Sequence, residues 1–402
     1  MLNQDIVREA TRLTRAGQLN EATALLQRML RGERTPSAAP AEPARSSPAR
    51  LEPPTIELAA TIVAEREPQP EKTTIAHAAA QATARPRQRA VRDGITALTA
   101  LNLRAPIQRA PPAMRDIVPE GTEFIAGNFS TAAGRRSYKL FRPSRYRGQQ
   151  LPLVVMLHGC TQSPDDFAAG TRMNFVAEEQ NCFVVYPEQP SGANQSKCWN
   201  WFRTGDQQRG GGEPALIAGI TRQIMRDYAI DPARVYVAGL SAGGAAAAIM
   251  AATYPDLYAA VGIHSGLACG AARDLPSALI AMRQGGGSKI DRASGPAVPT
   301  IVFHGDRDST VHPANGDRIV EQATGAASQT TAVVRERVPG GHAYTRTILS
   351  DADGRVRSEH WSIHGAAHAW SGGSPKGSYT DPKGPDATRE MLRFFRELAR
   401  QG

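Results

Sequence analysis

The sequence predicts an α/β protein with a doubly wound, mostly parallel sheet. From about Arg115, short apolar runs separated by turn signals alternate with helix-like stretches, and this alternation is typical of βαβ units. A length of 402 residues also suits one large α/β domain with an appendage. Because ligands of such sheets bind at the carboxyl ends of the strands, site residues are expected directly after strands.

The predicted elements fill a main domain at residues 114–402. Buried apolar runs predict strands at residues 124–128, 137–141, 153–157, 183–186, 235–238 and 300–303. Longer periodic stretches predict helices at residues 166–180, 213–228, 243–254 and 386–399. We predict that this domain carries the chemistry.

Two segments precede the main domain. Residues 1–31 place apolar side chains on one helical stripe that is broken at residues 16–18, which predicts a short helical hairpin. Residues 32–113 contain 12 of the 29 prolines and almost no aromatic residues, which predicts a disordered linker. The hairpin cannot bury its stripe alone. It is therefore either an element that docks on a partner or a marginal extension without one.

Composition argues against several classes of function. Residues 1–113 supply +5 of the net charge of +9, from 16 basic and 11 acidic residues, and no Lys/Arg block is interleaved with aromatic residues. We therefore expect no nucleic-acid binding. The four cysteines show no paired metal spacing, so no metal site is expected. No apolar run is long enough to span a membrane, and no signal peptide is visible, which favours a cytoplasmic location.

A Gly-x-Ser-x-Gly motif lies at residues 239–243, with Ser241 at its centre. A buried-strand run precedes the motif and an Ala-rich helical stretch follows it. Strand, tight turn and helix in this order are typical of a nucleophile elbow, which exposes the serine hydroxyl at the carboxyl edge of the sheet. The flanking glycines permit the turn and the close approach of neighbouring backbone. Ser241 is the predicted nucleophile, and the alternative is a serine that only caps the helix.

A serine hydroxyl needs a neighbouring base to become a good nucleophile. The partners are expected in the order serine, acid, histidine, each on a loop after a later strand. His342, His360, His364 and His368 qualify by position. The second and third of these lie in an alternating, strand-like stretch, whereas His368 lies in a small-residue loop directly after it. We predict His368 as the base, with His342 in its glycine-rich turn as the alternative.

Two aspartates compete for the role of the acid. The predicted strand at residues 300–303 continues into a loop that contains Asp306 and Asp308. Asp308 lies further past the turn, where the loop can return over the edge of the sheet. Asp306 is adjacent to Arg307 and can form an ordinary surface pair. We predict Asp308 as the acid that orients the base.

The oxyanion that forms during acyl transfer needs preset N–H donors. One predicted donor is the amide of Ala242, directly after the nucleophile, and the other comes from the loop after the strand at residues 153–157. That loop begins with His158 and a glycine, a tight turn that points the amide of Cys160 into the site. His158 itself is predicted to be structural.

The segment at residues 198–202 lies in a loop between predicted elements. Trp199 and Trp201 are predicted to line an acyl or alcohol pocket, and the alternative is that they fill the core. If this loop folds over the oxyanion turn, Cys160 and Cys198 come close enough for a disulfide bond.

These motifs together resemble the polyhydroxybutyrate (PHB) depolymerase-like esterases, over about residues 121–396. The resemblance is carried by Leu157-His158-Gly159-Cys160-Thr161-Gln162, Cys198-Trp199-Asn200-Trp201-Phe202, Gly239-Leu240-Ser241-Ala242-Gly243-Gly244 and the loop at residues 365–373. In that last loop this chain has Ser371 where relatives commonly have proline, which removes a fixed φ.

The resemblance implies an α/β-hydrolase fold, a Ser241-Asp308-His368 triad and hydrolysis of short hydroxyalkanoate esters or oligomers without a cofactor. Trp370, close to the base, joins Trp199 and Trp201 as a predicted substrate-binding residue. Three alternatives remain. The first is a feruloyl or acetylxylan type of esterase. The second is a serine peptidase of the same fold, which is disfavoured because no propeller or other gating domain is expected before the catalytic region. The third is a non-catalytic protein that docks on a polyester granule or a partner through residues 1–31.

Overall fold

The computed structural model describes residues 111–286, 297–325 and 330–398. The predicted hairpin at residues 1–31 and most of the predicted linker, residues 32–110, lie outside the described residues. The strands are β1 Glu123–Thr131, β2 Gly134–Arg142, β3 Leu151–Leu157, β4 Phe183–Pro187, β5 Ile230–Leu240, β6 Ala260–His264, β7 Thr300–Gly305, β8 Thr330–Arg337, β9 Ala343–Ser350, β10 Val356–Ile363, β11 Trp370–Ser371 and β12 Thr380–Asp381.

The helices alternate with these strands along the described chain. They are α1 Met114–Ile117, α2 Pro164–Thr171, α3 Met173–Gln180, α4 Gly212–Asp227, α5 Ala242–Thr253, α6 Leu275–Gln284, α7 Ala314–Thr324 and α8 Ala387–Leu398, with a 3₁₀ turn at Thr204–Gln207. Within the described ranges, each helix is too short or too polar to cross a membrane.

The main sheet has the strand order β1-β2-β4-β3-β5-β6-β7-β10-β9-β8 in the part of the chain that the structure describes. The strands from β4 through β10 in this order are parallel to their neighbours. The hairpin β1-β2 and the pair β9-β8 extend the sheet on either side by antiparallel pairing. The predicted doubly wound, mostly parallel sheet is confirmed.

Helices cover both faces of this sheet, which explains why its central strands are apolar throughout. Alternate residues of β3 enter opposite cores: Leu153 and Val155 pack with residues of α4 and α5, and Val154 and Met156 pack with residues of α2, α3 and α8. A parallel strand that is buried on both faces is expected to be a continuous apolar run.

The register between neighbouring strands brings several loops to one edge of the sheet. The last residue of β3, Leu157, pairs with Gly239 of β5. Leu240 of β5 pairs with His264 at the end of β6. Because parallel strands end at the same edge, the loops after β3, β5, β7 and β10 converge there.

The structure differs from the sequence prediction at residues 166–180, where one helix was predicted and two are present. Arg172 between α2 and α3 has φ 56°, in the left-handed region. The hydroxyl of Thr171 donates to the carbonyl of Phe167, which satisfies a group at the end of α2. Periodicity continues through this break because both helices bury the same face, so the sequence pattern did not show it.

Candidate active site

Ser241 lies in the sharp turn between β5 and α5, as a nucleophile elbow requires. Its backbone has φ 57° and ψ −120°, a conformation that costs a residue with a Cβ on the order of 1–3 kcal/mol. Its N–H donates to the carbonyl of His264, at 2.9 Å. The neighbouring strand thereby holds the strained turn in place.

The glycines of the elbow are required by close backbone contacts. A Cβ on Gly243 would lie 2.0 Å from the carbonyl oxygen of Leu157, and a Cβ on Gly239 would lie 2.2 Å from the carbonyl oxygen of Gly243. Real Cβ atoms do not approach carbonyl oxygens so closely. Helix α5 can therefore start against the end of β3 only because these positions lack side chains.

Asp308 and His368 form a hydrogen-bonded pair at the same edge. Oδ2 of Asp308 lies 2.7 Å from Nδ1 of His368; the side chain of Asp308 is fully buried and that of His368 is 9% exposed. The other carboxylate oxygen accepts the N–H groups of Thr310 and Val311. Burial alone would raise the pKa of Asp308, but the hydrogen bonds and charges of His368 and His304 hold that pKa well below its ordinary value.

This pairing fixes the orientation of the imidazole. Because the carboxylate of Asp308 only accepts hydrogen bonds, Nδ1 of His368 carries the hydrogen. Nε2 is then the atom that is left to take a proton. The geometry is that of a base held in one tautomer by an acid.

The rejected sequence alternatives have other partners. Asp306 accepts hydrogen bonds from His364 and from the N–H of Gly365, on the exposed side of the loop. His342 is hydrogen-bonded to Asp381 and to the carbonyl of His364. None of these hydrogen bonds is made to Asp308 or His368.

The turn after β3 lies directly against the elbow. A Cβ on Gly159 would lie 3.7 Å from Cβ of Ser241. Gln162 accepts the N–H of Gly159 through its side chain. Cys160 and Ala242, the two predicted oxyanion donors, line one small cavity together with Ser241. The structure thus brings the predicted nucleophile and the predicted donors to the same place.

His158 supports this turn from below, as predicted for a structural histidine. Its Nδ1 donates to the carbonyl of Gly159 at 2.8 Å, and its Nε2 accepts the N–H of Gln189 at 3.1 Å. Both ring nitrogens are satisfied in the neutral form. Burial lowers the pKa of His158 to about 4.

A disulfide bond joins Cys160 to Cys198. It ties the oxyanion turn to the loop at residues 198–202, which folds over that turn. Burial raises the pKa of Glu213 to about 7, and its carboxylate accepts the N–H and side-chain amide of Asn200 in the same loop. The loop is therefore held at its first residue by the disulfide bond and at its middle residue by Glu213.

Trp199 and Trp370, two of the three tryptophans that were predicted to bind substrate, are buried away from the small cavity beside Ser241. Trp199 is 0% exposed, and its indole N–H donates to the carbonyl of His158. Trp370 is 1% exposed, stacks on His264 and donates to Thr388. Both are core residues that support the site from behind. They bury large apolar surfaces and each satisfies its one polar group.

Trp201 lies close to the predicted nucleophile. It lines the small cavity beside Ser241, with the apolar side chains of Leu267, Met282 and Val311. The cavity volume of about 20 Å³ corresponds to roughly one water-sized group. The room next to the serine is therefore apolar and small.

His264 is a site residue that sequence reasoning did not identify. Its carbonyl accepts the N–H of Ser241, and its Nε2 accepts the N–H of Ser371, three residues after the base. The only signal in the sequence is the short apolar run Ala260–His264, which contains a glycine. A five-residue run of this kind is weak evidence for a strand.

Lowering the pH from 6.5 towards 4 should destabilise the fold through His158 and His264. Burial lowers their pKa values to about 4 and about 3, so both stay neutral while the unfolded chain takes up protons below its pKa of 6.5. Each then costs about 1.4 kcal/mol per pH unit. The contribution of Glu213 to the pH dependence of stability has the opposite sign. Because burial raises its pKa to about 7, the folded state binds a proton more readily than the unfolded chain, and stability increases as the pH falls from 7 towards 4.5.

Urea unfolding at pH 7, 6 and 5 measures this effect. The difference in unfolding free energy between the wild type and His158→Gln should shrink as the pH falls, since only the wild type loses the contribution of this histidine. A difference that stays constant with pH would contradict the assignment of a neutral buried His158.

Among the described residues, no group of three His, Cys, Asp or Glu side chains could hold a metal ion.

Comparison with known proteins identifies the family. The family model described as Esterase PHB depolymerase matches residues 136–337, which include Ser241 and Asp308. Poly(3-hydroxyalkanoate) depolymerase C of Paucimonas lemoignei is 34% identical over 257 residues, 60% of this chain and 60% of that protein. Poly(3-hydroxybutyrate) depolymerase of Ralstonia pickettii is 29% identical over 241 residues, 55% of this chain and 48% of that protein.

The chain is also similar to acetylxylan esterases. Probable acetylxylan esterase A of Aspergillus clavatus is 29% identical over 180 residues, 40% of this chain and 58% of that protein. The solved acetyl xylan esterase from Aspergillus awamori superimposes with a TM-score of 0.52 at 19% identity, over 68% of this chain and 99% of its own. This likeness shows the fold. The chain thus has the α/β-hydrolase fold and belongs to the PHB depolymerase family of esterases.

Proposed function

We propose that this chain is a serine carboxylic ester hydrolase. The observation that carries the proposal is the buried hydrogen bond between Asp308 and His368, at the edge of the sheet where the elbow presents Ser241. Membership of the PHB depolymerase family supports it. The matched region of this chain spans 60% and 48% of the lengths of the two depolymerases named above.

The proposed mechanism assigns one task to each group. Ser241 attacks the ester carbonyl carbon while Nε2 of His368 takes its proton, and Asp308 stabilises the resulting imidazolium. The amides of Cys160 and Ala242 donate to the oxyanion. The carbonyl re-forms, the alcohol leaves with the proton from His368, and water repeats the sequence to release the acid and free Ser241.

We propose short-chain hydroxyalkanoate esters and oligomers as substrates. The small apolar cavity beside Ser241 suits a short acyl or alkyl group, because a longer chain would have to displace Met282 or Val311. The names of the two depolymerases point to the same class. Acetylated xylan is the second candidate, because a cavity of this size also suits acetyl and acetylxylan esterases are among the relatives.

The disulfide bond between Cys160 and Cys198 bears on where the enzyme works. Disulfides persist in oxidising compartments and are rare where thiols are kept reduced. We therefore propose an oxidising compartment rather than the cytoplasmic location that the sequence favours. Docking on a granule or a partner through residues 1–31 stays a prediction.

Hydrolysis of p-nitrophenyl acetate, butyrate and octanoate tests the proposal, together with 3-hydroxybutyrate trimer and acetylated xylan. We expect turnover of acetate and butyrate esters, weak turnover of octanoate, and labelling of Ser241 by a fluorophosphonate probe. A protein that hydrolyses none of these and takes up no label would contradict the proposed function. Release of acetate from xylan without cleavage of the trimer would favour the second candidate.

Met282→Ala should enlarge the cavity and raise the octanoate-to-butyrate ratio of kcat/KM by about tenfold, since pocket contacts with a few methylenes are worth 1–3 kcal/mol. Ile280→Ala is the matched control on the same helix, because Ile280 is 58% exposed. An unchanged ratio in Met282→Ala would show that this cavity does not receive the acyl chain.

A further inference from the structure

A second and larger cavity lies at the opposite edge of the sheet from Ser241. Its volume is about 670 Å³, within the range of small-molecule sites. It is lined by residues at the amino ends of the parallel strands, among them Pro152, Arg234, Ala259, Pro299 and Arg357. The proposed catalytic residues follow the carboxyl ends of the same sheet, so a molecule in this cavity would not compete with the substrate.

The charge of this cavity is one-sided. Of the described residues that line it, four are arginines, Arg234, Arg355, Arg357 and Arg396, and one is an aspartate, Asp231. Asp231 forms an ion pair with Arg234 at 2.6 Å. The guanidinium of Arg357 donates to the carbonyl of Ala297, and that of Arg396 donates to the side chain of Gln180. These partners are neutral. Among the described residues that line the cavity, only Asp231 is acidic, so these residues leave most of the positive charge of the four arginines uncompensated.

Two arginines of a neighbouring, smaller cavity are paired with acidic side chains. It shares Arg396 with the first cavity, but its other arginines are matched by acids. Arg389 pairs with Glu179, and Arg393 pairs with Glu390 and Glu397. Arg389 and Arg393 are thus both paired with carboxylates, whereas Arg234 is the one lining arginine of the larger cavity with a carboxylate partner among the described residues.

A buried tyrosine supplies an independent observation. Tyr236 lines the same cavity and is 2% exposed, and its hydroxyl has no hydrogen-bond partner among the described residues. A buried hydroxyl without a partner is unfavourable, because on burial it loses its hydrogen bonds to water and gains none in return. Burial raises the pKa of the Tyr236 phenol, and the positive charges of Arg234 and Arg396 lower it by less. The hydroxyl therefore keeps its proton at neutral pH and can donate a hydrogen bond.

We propose that this cavity binds a small organic anion, a carboxylate or phosphate monoester with a short apolar body. Arginine side chains bind such groups through several charge-assisted hydrogen bonds, and the Tyr236 hydroxyl adds a donor. The apolar side chains of Pro152, Val356 and Leu392 line the rest of the cavity and suit the body of the ligand. A bare inorganic anion would leave these walls uncovered.

Calorimetric titration of the full chain with hexanoate, monohexyl phosphate, inorganic phosphate and hexanamide tests the proposal. We expect saturable binding of hexanoate or monohexyl phosphate, and the tighter of the two identifies the head group. The double variant Arg355→Gln/Arg357→Gln should weaken that binding at least tenfold, since it removes two donors of charge-assisted hydrogen bonds. Arg318→Gln, an exposed arginine paired with Glu321, should bind like the wild type.

Tyr236→Phe separates a ligand-binding role from a structural one. It should weaken anion binding several-fold while leaving the melting temperature without ligand unchanged or higher, because it removes an unsatisfied hydroxyl. The proposal is overturned if the arginine variant binds as well as the wild type, which would place any observed binding elsewhere. Equal binding of hexanamide, binding of inorganic phosphate alone, or no binding at all would overturn it too.

Discussion

Ser241→Ala should lower kcat for p-nitrophenyl butyrate by about 10⁴- to 10⁶-fold, with the melting temperature preserved. The variant keeps the oxyanion donors and the cavity but lacks the nucleophile, and losses of this size are typical when one member of a triad is removed. Asp308→Asn should cost about 10⁴-fold in kcat, because the amide does not hold His368 in the tautomer that leaves Nε2 free.

The loop after β7 offers a matched control for Asp308. Asp306→Asn removes a carboxylate two residues away that is also hydrogen-bonded to a histidine, His364. It should leave kcat within a few-fold of the wild type. If Asp306→Asn abolished activity and Asp308→Asn did not, the acid would be misassigned. Steady-state kinetics with a stopped-flow burst measurement distinguishes loss of acylation from loss of deacylation.

Cys198→Ser should lower both stability and turnover. The disulfide closes a loop with a sequence separation of 38 residues, and loop-closure entropy predicts a loss of about 4 kcal/mol. For a domain of this size, that corresponds to a fall in melting temperature of roughly 10 °C. Turnover should fall as well, because the released turn no longer holds the amide of Cys160 in place for the oxyanion.

Cys269→Ser is the control for this variant. Cys269 is not part of a disulfide, and burial raises the pKa of its thiol to about 11, so it is not a reactive group. Its replacement should change melting temperature and kcat little. A Cys198→Ser protein with wild-type melting temperature and kcat would show that the bond contributes to neither.

Much of the site could be predicted because each catalytic candidate belongs to a local pattern. The glycines around Ser241 encode the elbow, and the close contacts of Gly239 and Gly243 explain why no other residue fits. His368 follows a strand-like stretch in a loop of small residues. The choice of Asp308 over Asp306 agrees with the hydrogen bond to His368.

Other features depend on tertiary contacts that no local pattern reveals. No local pattern decides whether the loop at residues 198–202 folds inward, so the sequence leaves open whether Trp199 lines a pocket or fills the core. The hydrogen bond to the carbonyl of His158 and full burial place it in the core. The strand Ala260–His264 is short and contains a glycine, and it becomes a strand because β5 and β7 pair with it on both sides. Its last residue then acquires a role in the site through these neighbours.

His264 has a consequence for motion. The backbone carbonyl of His264 accepts a hydrogen bond from the N–H of Ser241, and its ring Nε2 accepts one from the N–H of Ser371. The turn of the nucleophile and the loop of the base are therefore both hydrogen-bonded to the same residue. Neither segment can move without breaking a bond to the same buried strand end. The proposed catalytic groups should therefore behave as one rigid body on the timescale of turnover, and substrate should enter a site that is already assembled.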